Sequence, residues 1–181
     1  MPSADPGAHA VRPADVERWL TDLGLEPVDR AERDGITSWD LVLDGRRRSD
    51  IRVTIILDPA FALICWAQLA PPIGDMFRKS YRKLLRWNDE FPFAKFSLTE
   101  DERPLLAVEL PIADAPAPPT ADQLGLALAR IVDLADRLLE ETASWLWIGG
   151  RMPDHSDRTR RNAGLLERYD GRLGDPEAAA G

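Results

Sequence analysis

The residue types that most often do chemistry in proteins are scarce in this chain. It has one cysteine, Cys65, and two histidines, His9 and His155. Cys65 stands inside the apolar stretch FALICWAQL, where a thiol is usually a small core side chain, and activating it would need a neighbouring base. Both histidines lie in segments that we expect to be tails. We therefore expect no nucleophilic catalysis and no metal site built from histidine or cysteine.

Carboxylates are the remaining candidates for catalysis. Asp101 and Glu102 are adjacent, but the sequence TEDERP around them predicts a solvated turn. An enzyme that used only carboxylates would need two acids facing each other in a cleft, and the spacing here indicates no such pair. No glycine-rich segment has the spacing that cradles phosphate. We expect a non-enzymatic protein with no catalytic residue and no cofactor.

Cationic residues give a sharper signal. The segment MFRKSYRKLLRWNDEF, residues 76–91, follows Pro71-Pro72 and precedes Pro92, and its periodicity predicts a helix. The face opposite its apolar stripe carries Arg78, Lys79, Arg82 and Arg86. Such a face is either a solvated surface that pairs with nearby carboxylates or a docking surface for an acidic partner. The second interpretation makes these four residues a partner-binding site.

The charge of the whole chain limits the partners. Its formal net charge is −8, which disfavours broad binding to nucleic acid or to a membrane surface. Arginines near the C-terminus, Arg158, Arg160 and Arg161, keep nucleic acid as a minor alternative, although Asp154 and Asp157 dilute them.

The same sequence gives an expectation about location. No stretch approaches 18 consecutive apolar residues, and residues 1–10 lack the cationic start and apolar run of a signal peptide. A single cysteine suits a reducing compartment. We therefore expect a cytoplasmic protein without a membrane span.

Hydrophobic periodicity predicts one α+β domain. A first helix begins at Pro13, and the segments GITSWDLVLDG, IRVTIILDP and FALICWAQL follow it as strands joined by short turns. The stretch PVDRAERD is a weak edge strand. After the second helix come the strands FAKFSL and LLAVEL, and a long last helix begins at Thr120, with Gln123 completing a capping box. The predicted order is α-β-β-β(-β)-α-β-β-α, with an antiparallel sheet of five or six strands and three helices.

We place the domain at residues 12–148, between a flexible arm, 1–11, and a flexible Arg-containing tail, 149–181. The tail is expected to be mobile, or ordered only by docking. Trp145 and Trp147 straddle the end of the last helix and cannot share one face. One of them is expected in the core, and the other covers an edge or meets a partner.

Apolar residues occupy both faces of the predicted sheet, which is the subtler clue. The face opposite the main alternation carries Val42, Ile56, Ile64, Trp66, Phe93 and Leu105. Either helices cover both faces, or a partner protein or a second copy covers one of them. Three helices are few for both sides of such a sheet, so we favour a protein contact on this face.

The order of elements, together with the segment LLRWNDEFPFAKFSLTEDERPLLAVELP, resembles the YbjN family, described as bacterial sensory transduction regulators. The most telling piece is Trp87-Asn88, followed by the aromatic strand Phe93–Leu98. The resemblance covers roughly residues 12–148. It implies a fold similar to that of type III secretion chaperones and a non-enzymatic protein that binds other proteins, often as a dimer. We expect Asn88 to cap the helix or tie it to a strand.

Two functions follow from these observations. The first is a chaperone-like or regulatory protein-binding module, homodimeric, in which an apolar sheet face binds a client or a second copy and the basic helix adds selectivity. The alternative is a small-molecule-sensing regulatory domain, whose ligand would lie in a pocket between sheet and helices.

Overall fold

The predicted order of elements is present. The structure, a computed structural model, describes residues 11–73, 78–146 and 159–173, without the side chains of residues 78–80 and 144–146. The elements are α1 (Pro13–Asp22), β1 (Asp29–Arg33), β2 (Ile36–Leu43), β3 (Ile51–Asp58), β4 (Ala62–Gln68), α2 (Arg78–Glu90), β5 (Lys95–Leu98), β6 (Pro104–Pro111), α3 (Ala121–Arg137), α4 (Leu139–Leu146) and α5 (Ala163–Tyr169), followed by a 3-10 turn, Asp170–Arg172. The α+β class is confirmed, and the weak edge strand is β1.

Six antiparallel strands form one sheet in the order β1-β2-β3-β4-β6-β5. The register sets Trp39 opposite Ile55, Ile55 opposite Cys65, and Cys65 opposite Val108. All four side chains are buried, so they form one row across the centre of the core face. Burial raises the pKa of the Cys65 thiol to about 12, and this thiol is a packing group within the sheet.

The long helix α3 lies across that core face, in contact with β3, β4 and β6. Thr120 caps it as the sequence predicts, because its hydroxyl accepts from the Gln123 N–H at 3.3 Å and the Gln123 side chain accepts from the Thr120 N–H at 3.0 Å. The predicted single helix is divided at Leu138, where α3 ends and α4 begins. The end of α4 limits one prediction, since the side chains of Trp145 and Trp147 lie outside the described residues.

Four of the described helices, α1, α2, α3 and α5, bury their apolar side chains on one side of the sheet. Buried residues of α1, α2, α3 and α5 form a single cluster with the core-facing residues of β2 to β6. In the described part of the chain, the side chains that alternate with these, on the opposite face of the same strands, do not belong to that cluster. One sheet face is therefore closed by helices, and no described helix buries its apolar side chains against the other.

A buried carboxylate holds the turn between β2 and β3. The Asp136 side chain, near the end of α3, accepts from the backbone N–H groups of Arg46, Arg47 and Arg48, the last two at 3.1 and 2.8 Å. A Cβ at Gly45 would collide with the same carboxylate, so only glycine fits there. Charge-assisted bonds to backbone amides are among the stronger hydrogen bonds in proteins. Asp136 thus fixes this turn against α3.

Asn88 ties α2 to the sheet. Its side-chain amide donates to the Phe96 carbonyl at 3.0 Å and accepts from the Phe96 N–H at 2.6 Å. These are the backbone groups that β5, an edge strand, would otherwise offer to a further strand. The Trp87 and Phe96 rings also meet, with centroids 5.3 Å apart. The prediction that Asn88 ties the helix to a strand is correct.

Part of the C-terminal tail is docked. Residues 159–173 are described, and Leu165, Leu166, Tyr169 and Leu173 are buried in the main cluster. Of the two predicted states of the tail, order through docking is the one seen for this stretch. The periodicity of GLLERY is too short to indicate it, because a helix of seven residues is formed by its contacts rather than by propensity.

The Asp136 contact predicts a large stability effect. Replacing Asp136 with Ala leaves three backbone N–H groups without their acceptor, so the free energy of unfolding should fall by about 2 kcal/mol. Urea unfolding followed by tryptophan fluorescence measures it. Glu140→Ala is the matched control, since Glu140 pairs with Arg47 at the surface, and it should cost less than about 0.5 kcal/mol. Equal losses in the two variants would contradict the assignment.

The Asn88 contact predicts a local effect. In Asn88→Ala the Phe96 N–H loses its acceptor, and we expect its amide hydrogen exchange to accelerate while the unfolding free energy falls by about 1 kcal/mol. The neighbouring exposed variant Asp89→Ala should leave the Phe96 exchange rate unchanged. If Phe96 exchanges equally fast in both variants, Asn88 does not protect the β5 edge.

Candidate functional site

The side of the sheet that the described helices leave uncovered carries most of the apolar residues that the sequence singles out. Val42, Ile56, Ile64, Trp66 and Leu105 lie on it, and we call these five residues the outer face. Ile56 stands opposite Ile64, and Trp66 stands between Thr54 and Ala107 on its neighbouring strands. All five side chains are half-buried. The structure thus brings five of the six predicted residues to one surface.

Phe93, the sixth residue, does not lie on the outer face, which corrects its predicted placement. It precedes β5 in a turn, with a backbone φ of +62°, and its side chain is 95% exposed. Pro92 and the turn from Phe91 to Ala94 break the alternation that predicted its direction. The ring lines a groove with Val108 and Leu110, on the helix-covered side. Left-handed backbone is costly for a bulky residue.

The outer face contains a groove of about 480 Å³ next to Trp66. Its lining includes Val28, Val42, Thr54, Trp66 and Gln68, with Asp40 and Arg52 as its charged groups. Thr54 donates to the Asp40 carboxylate at 2.6 Å, which holds that acid in place. An apolar floor beside one acid and one guanidinium suits contact with another polypeptide.

The basic face lies on α2. Arg82 and Arg86 are exposed, and neither forms an ion pair within the described ranges, whereas Lys83 pairs with Glu141 at 3.0 Å. The backbones of Arg78 and Lys79 belong to α2, but their side chains lie outside the described residues. The structure therefore presents two of the four predicted cations as exposed charges.

Leu85 was missed by the sequence reasoning. It lies between Arg82 and Arg86 in the chain, and its side chain is 70% exposed. The sequence does contain a signal for this exposure, because Leu85 is an apolar residue outside the stripe of α2 that buries Leu84 and Trp87. An exposed leucine beside two exposed guanidinium groups gives α2 a mixed apolar and cationic surface.

The two sheet edges are less available to partners. Every residue of β1 is exposed, and Arg30 pairs with Glu17 at 2.9 Å and with Glu32 at 3.2 Å. A short, charged edge strand discourages the addition of another strand. The opposite edge, β5, is occupied by Asn88. The faces of the sheet are therefore better docking surfaces than its edges.

Asp101 and Glu102, the candidate catalytic acids, lie in a turn. Asp101 accepts from Thr99 and Arg103, and these hydrogen bonds lower the pKa of its carboxyl. A general acid at neutral pH needs the opposite shift. Burial does raise the pKa of Asp133, which pairs with Arg137 at 3.0 Å. Among the described residues, no group of three or more His, Cys, Asp or Glu side chains is placed to hold a metal ion.

A second groove, of about 400 Å³, lies between β6 and α3. Its lining is mostly apolar and includes Phe93, Val108, Leu110, Leu126 and Ala127, with Arg130 and Arg172 at its margin. We call it the inner groove. It lies between sheet and helices, as the small-molecule alternative requires.

Comparisons with known proteins place the chain in a family. The model of the YbjN family, with the description "Putative bacterial sensory transduction regulator", matches residues 12–143. No curated protein matches the chain. None of the described helices has the length and apolarity needed to cross a bilayer.

A solved structure similar to this chain is that of the Yersinia pestis type III secretion chaperone SycH in complex with a stable fragment of YscM2. The two sequences are 22% identical, the match covers 69% of this chain and 97% of that one, and the TM-score is 0.49. The family match spans well over half of the chain and agrees with the resemblance carried by Trp87-Asn88 and the strand after it. The chain belongs to the YbjN family.

Proposed function

We propose that this chain is a non-enzymatic regulatory module that binds proteins, and that its partner covers the outer face. The observation that carries the proposal is that the described helices cover one side of a six-stranded sheet while Ile56, Ile64 and Trp66 lie on the other. Membership in a family described as regulators supports a role in which binding, rather than catalysis, is the output.

The outer face has the chemistry of an interface centre. Its apolar side chains are held in the middle strands by the register, so a partner meets a rigid surface and little side-chain entropy is lost. Covering the remaining apolar area contributes about 25 cal/mol per Å². Asp40 and Arg52 lie at the groove beside Trp66, where they set the orientation of the partner.

The basic face contributes selectivity in this proposal. Arg82 and Arg86 project from α2 without a described acid to neutralise them, and Leu85 lies beside them. Guanidinium groups suit carboxylates because they donate two parallel hydrogen bonds. α2 packs on the helix-covered side of the sheet, so this face remains available to an acidic partner protein when the outer face is covered. The assembly that we propose for the outer face is a homodimer.

A second candidate function rests on the inner groove. Its apolar lining and the guanidinium groups of Arg130 and Arg172 would suit a small apolar molecule with an acidic group. This candidate makes the chain a sensor rather than a docking module. A change in thermal stability on adding medium-chain carboxylates would favour it, whereas the outer face plays no part in it.

The outer face predicts an oligomeric state. At micromolar concentration, size-exclusion chromatography with light scattering should give a dimer for the wild-type protein and a monomer for Ile64→Lys, because the variant buries an unpaired ammonium group in the interface. Phe61→Lys is the control, since Phe61 is an exposed side chain in the β3–β4 turn, away from the outer face, and it should remain dimeric. A monomeric wild type, or an unchanged Ile64→Lys dimer, contradicts the proposal.

A further inference from the structure

The C-terminal segment, residues 159–173, packs on α3 in the way that a bound peptide packs on a receptor. Residues 159–173 lie beyond the family match, which ends at residue 143. Leu165, Leu166, Tyr169 and Leu173 are buried, and α5 is in contact with α3. A seven-residue helix is not stable in isolation, so α5 owes its structure to this contact.

α3 contains a socket for the Tyr169 ring. The ring lies directly on Gly125, where a Cβ would collide with the phenol. Tyr169 is only 1% exposed, and it is therefore the most deeply buried side chain of α5. Glycine inside a helix destabilises it relative to alanine, so α3 gives up helix stability where it accommodates this ring. A buried tyrosine in a fitted pocket is the usual centre of a protein interface.

Polar contacts surround this apolar centre. The Asn162 side chain accepts from the Asp44 N–H at 2.6 Å and donates to the Asp44 carbonyl at 3.0 Å, and Arg161 pairs with the Asp44 carboxylate at 3.1 Å. At the other end, Arg137 donates to the Leu173 carbonyl at 3.1 Å.

The outermost contacts of the segment are ion pairs. Arg46 pairs with Asp170, and Arg172 pairs with Asp122, and all four side chains are about half exposed or more. Such pairs are weak and are screened by salt. The segment is thus held by an apolar centre and a polar, salt-sensitive rim, which is the composition of a reversible interface.

We propose that the groove on α3 around Gly125 is an acceptor site for an amphipathic helix of a partner protein, and that α5 is its resident competitor. The sequence of α5 defines the chemistry of that helix. It carries two adjacent leucines and an aromatic residue three positions after the second, and the turn that follows α5 begins with an acid, Asp170, that meets Arg46. This mode of recognition, a helix lying in a groove, uses a surface separate from the outer face.

A tethered competitor sets the affinity for the partner. Because α5 belongs to the same chain, its effective concentration at the groove is high, and a partner binds only the fraction of molecules in which α5 is released. Any change that weakens the docking of α5 without altering α3 should therefore strengthen the binding of a separate partner helix to the groove. An acceptor site requires in addition that the chain unfolds cooperatively after α5 is released, which a segment that completes the core would not allow.

The experiment uses the full chain and a fluorescent peptide with the sequence of residues 159–173. Tyr169→Ala in the chain empties the socket and leaves Gly125 unchanged. Fluorescence anisotropy should show the peptide binding this variant at least about tenfold more tightly than it binds the wild type, whose groove is occupied. Asn162→Ala, which keeps all buried side chains of α5, should give a smaller gain in the same direction. If Tyr169→Ala no longer unfolds cooperatively, Asn162→Ala is used in its place.

Two controls establish the site. A peptide carrying alanine in place of Tyr169 should not bind, and adding Gly125→Leu to the Tyr169→Ala chain should abolish binding because leucine fills the socket. Equal affinity for wild type and released variants, or binding that Gly125→Leu does not affect, would overturn the proposal. None of these outcomes depends on the outer face, so failure here is distinguishable from failure of the proposed function.

Discussion

Trp39, Ile55, Cys65 and Val108 stand in one row across four strands, and α3 lies over the face that they form. Each strand alternates with a period of two, so a register that buries this row sends every intervening side chain to the opposite face. The placement of Ile56, Ile64 and Trp66 is thus a consequence of core packing. The apolar outer face and the position of both grooves follow from this one constraint.

Polar side chains fix what lies around that core. Asp136, Asn88 and Asn162 each bond backbone groups that no strand or helix satisfies: the β2–β3 turn, the β5 edge and Asp44 respectively. Buried or partly buried backbone groups need such partners. The Asn88 contact orients α2, so that Arg82, Leu85 and Arg86 face outward. The Asn162 contact sets the start of α5, and with it the occupation of the socket at Gly125.

Local patterns predicted much of this molecule. Strand alternation indicated the sheet and the residues of the outer face, Thr120 and Gln123 indicated the start of α3, and Asn88 at the end of an amphipathic helix indicated its bond to a strand. These features depend on neighbours within a few residues or on strict periodicity.

The features that could not be predicted depend on contacts distant in sequence. Asp136 binds a turn about 90 residues away, and Tyr169 occupies a socket more than 40 residues away, at Gly125. Phe93 departs from the outer face because its own backbone, in the turn before β5, is left-handed, which alternation cannot show. The break at Leu138 likewise has no proline or glycine to mark it.

The central claim, that the outer face is bare in one molecule and covered by a second, can be measured by thiol labelling. Cys65, the one native cysteine, is buried with its pKa raised to about 12, so it stays silent at neutral pH. Ile64→Cys places a reactive thiol on the outer face, and Phe61→Cys places one in an exposed turn. The account predicts that the outer-face thiol is labelled rapidly in dilute protein and about tenfold or more slowly as the protein concentration rises to micromolar, while labelling of the turn thiol is unaffected. Labelling of the Ile64→Cys variant at one rate at all concentrations, fast or slow, would contradict it.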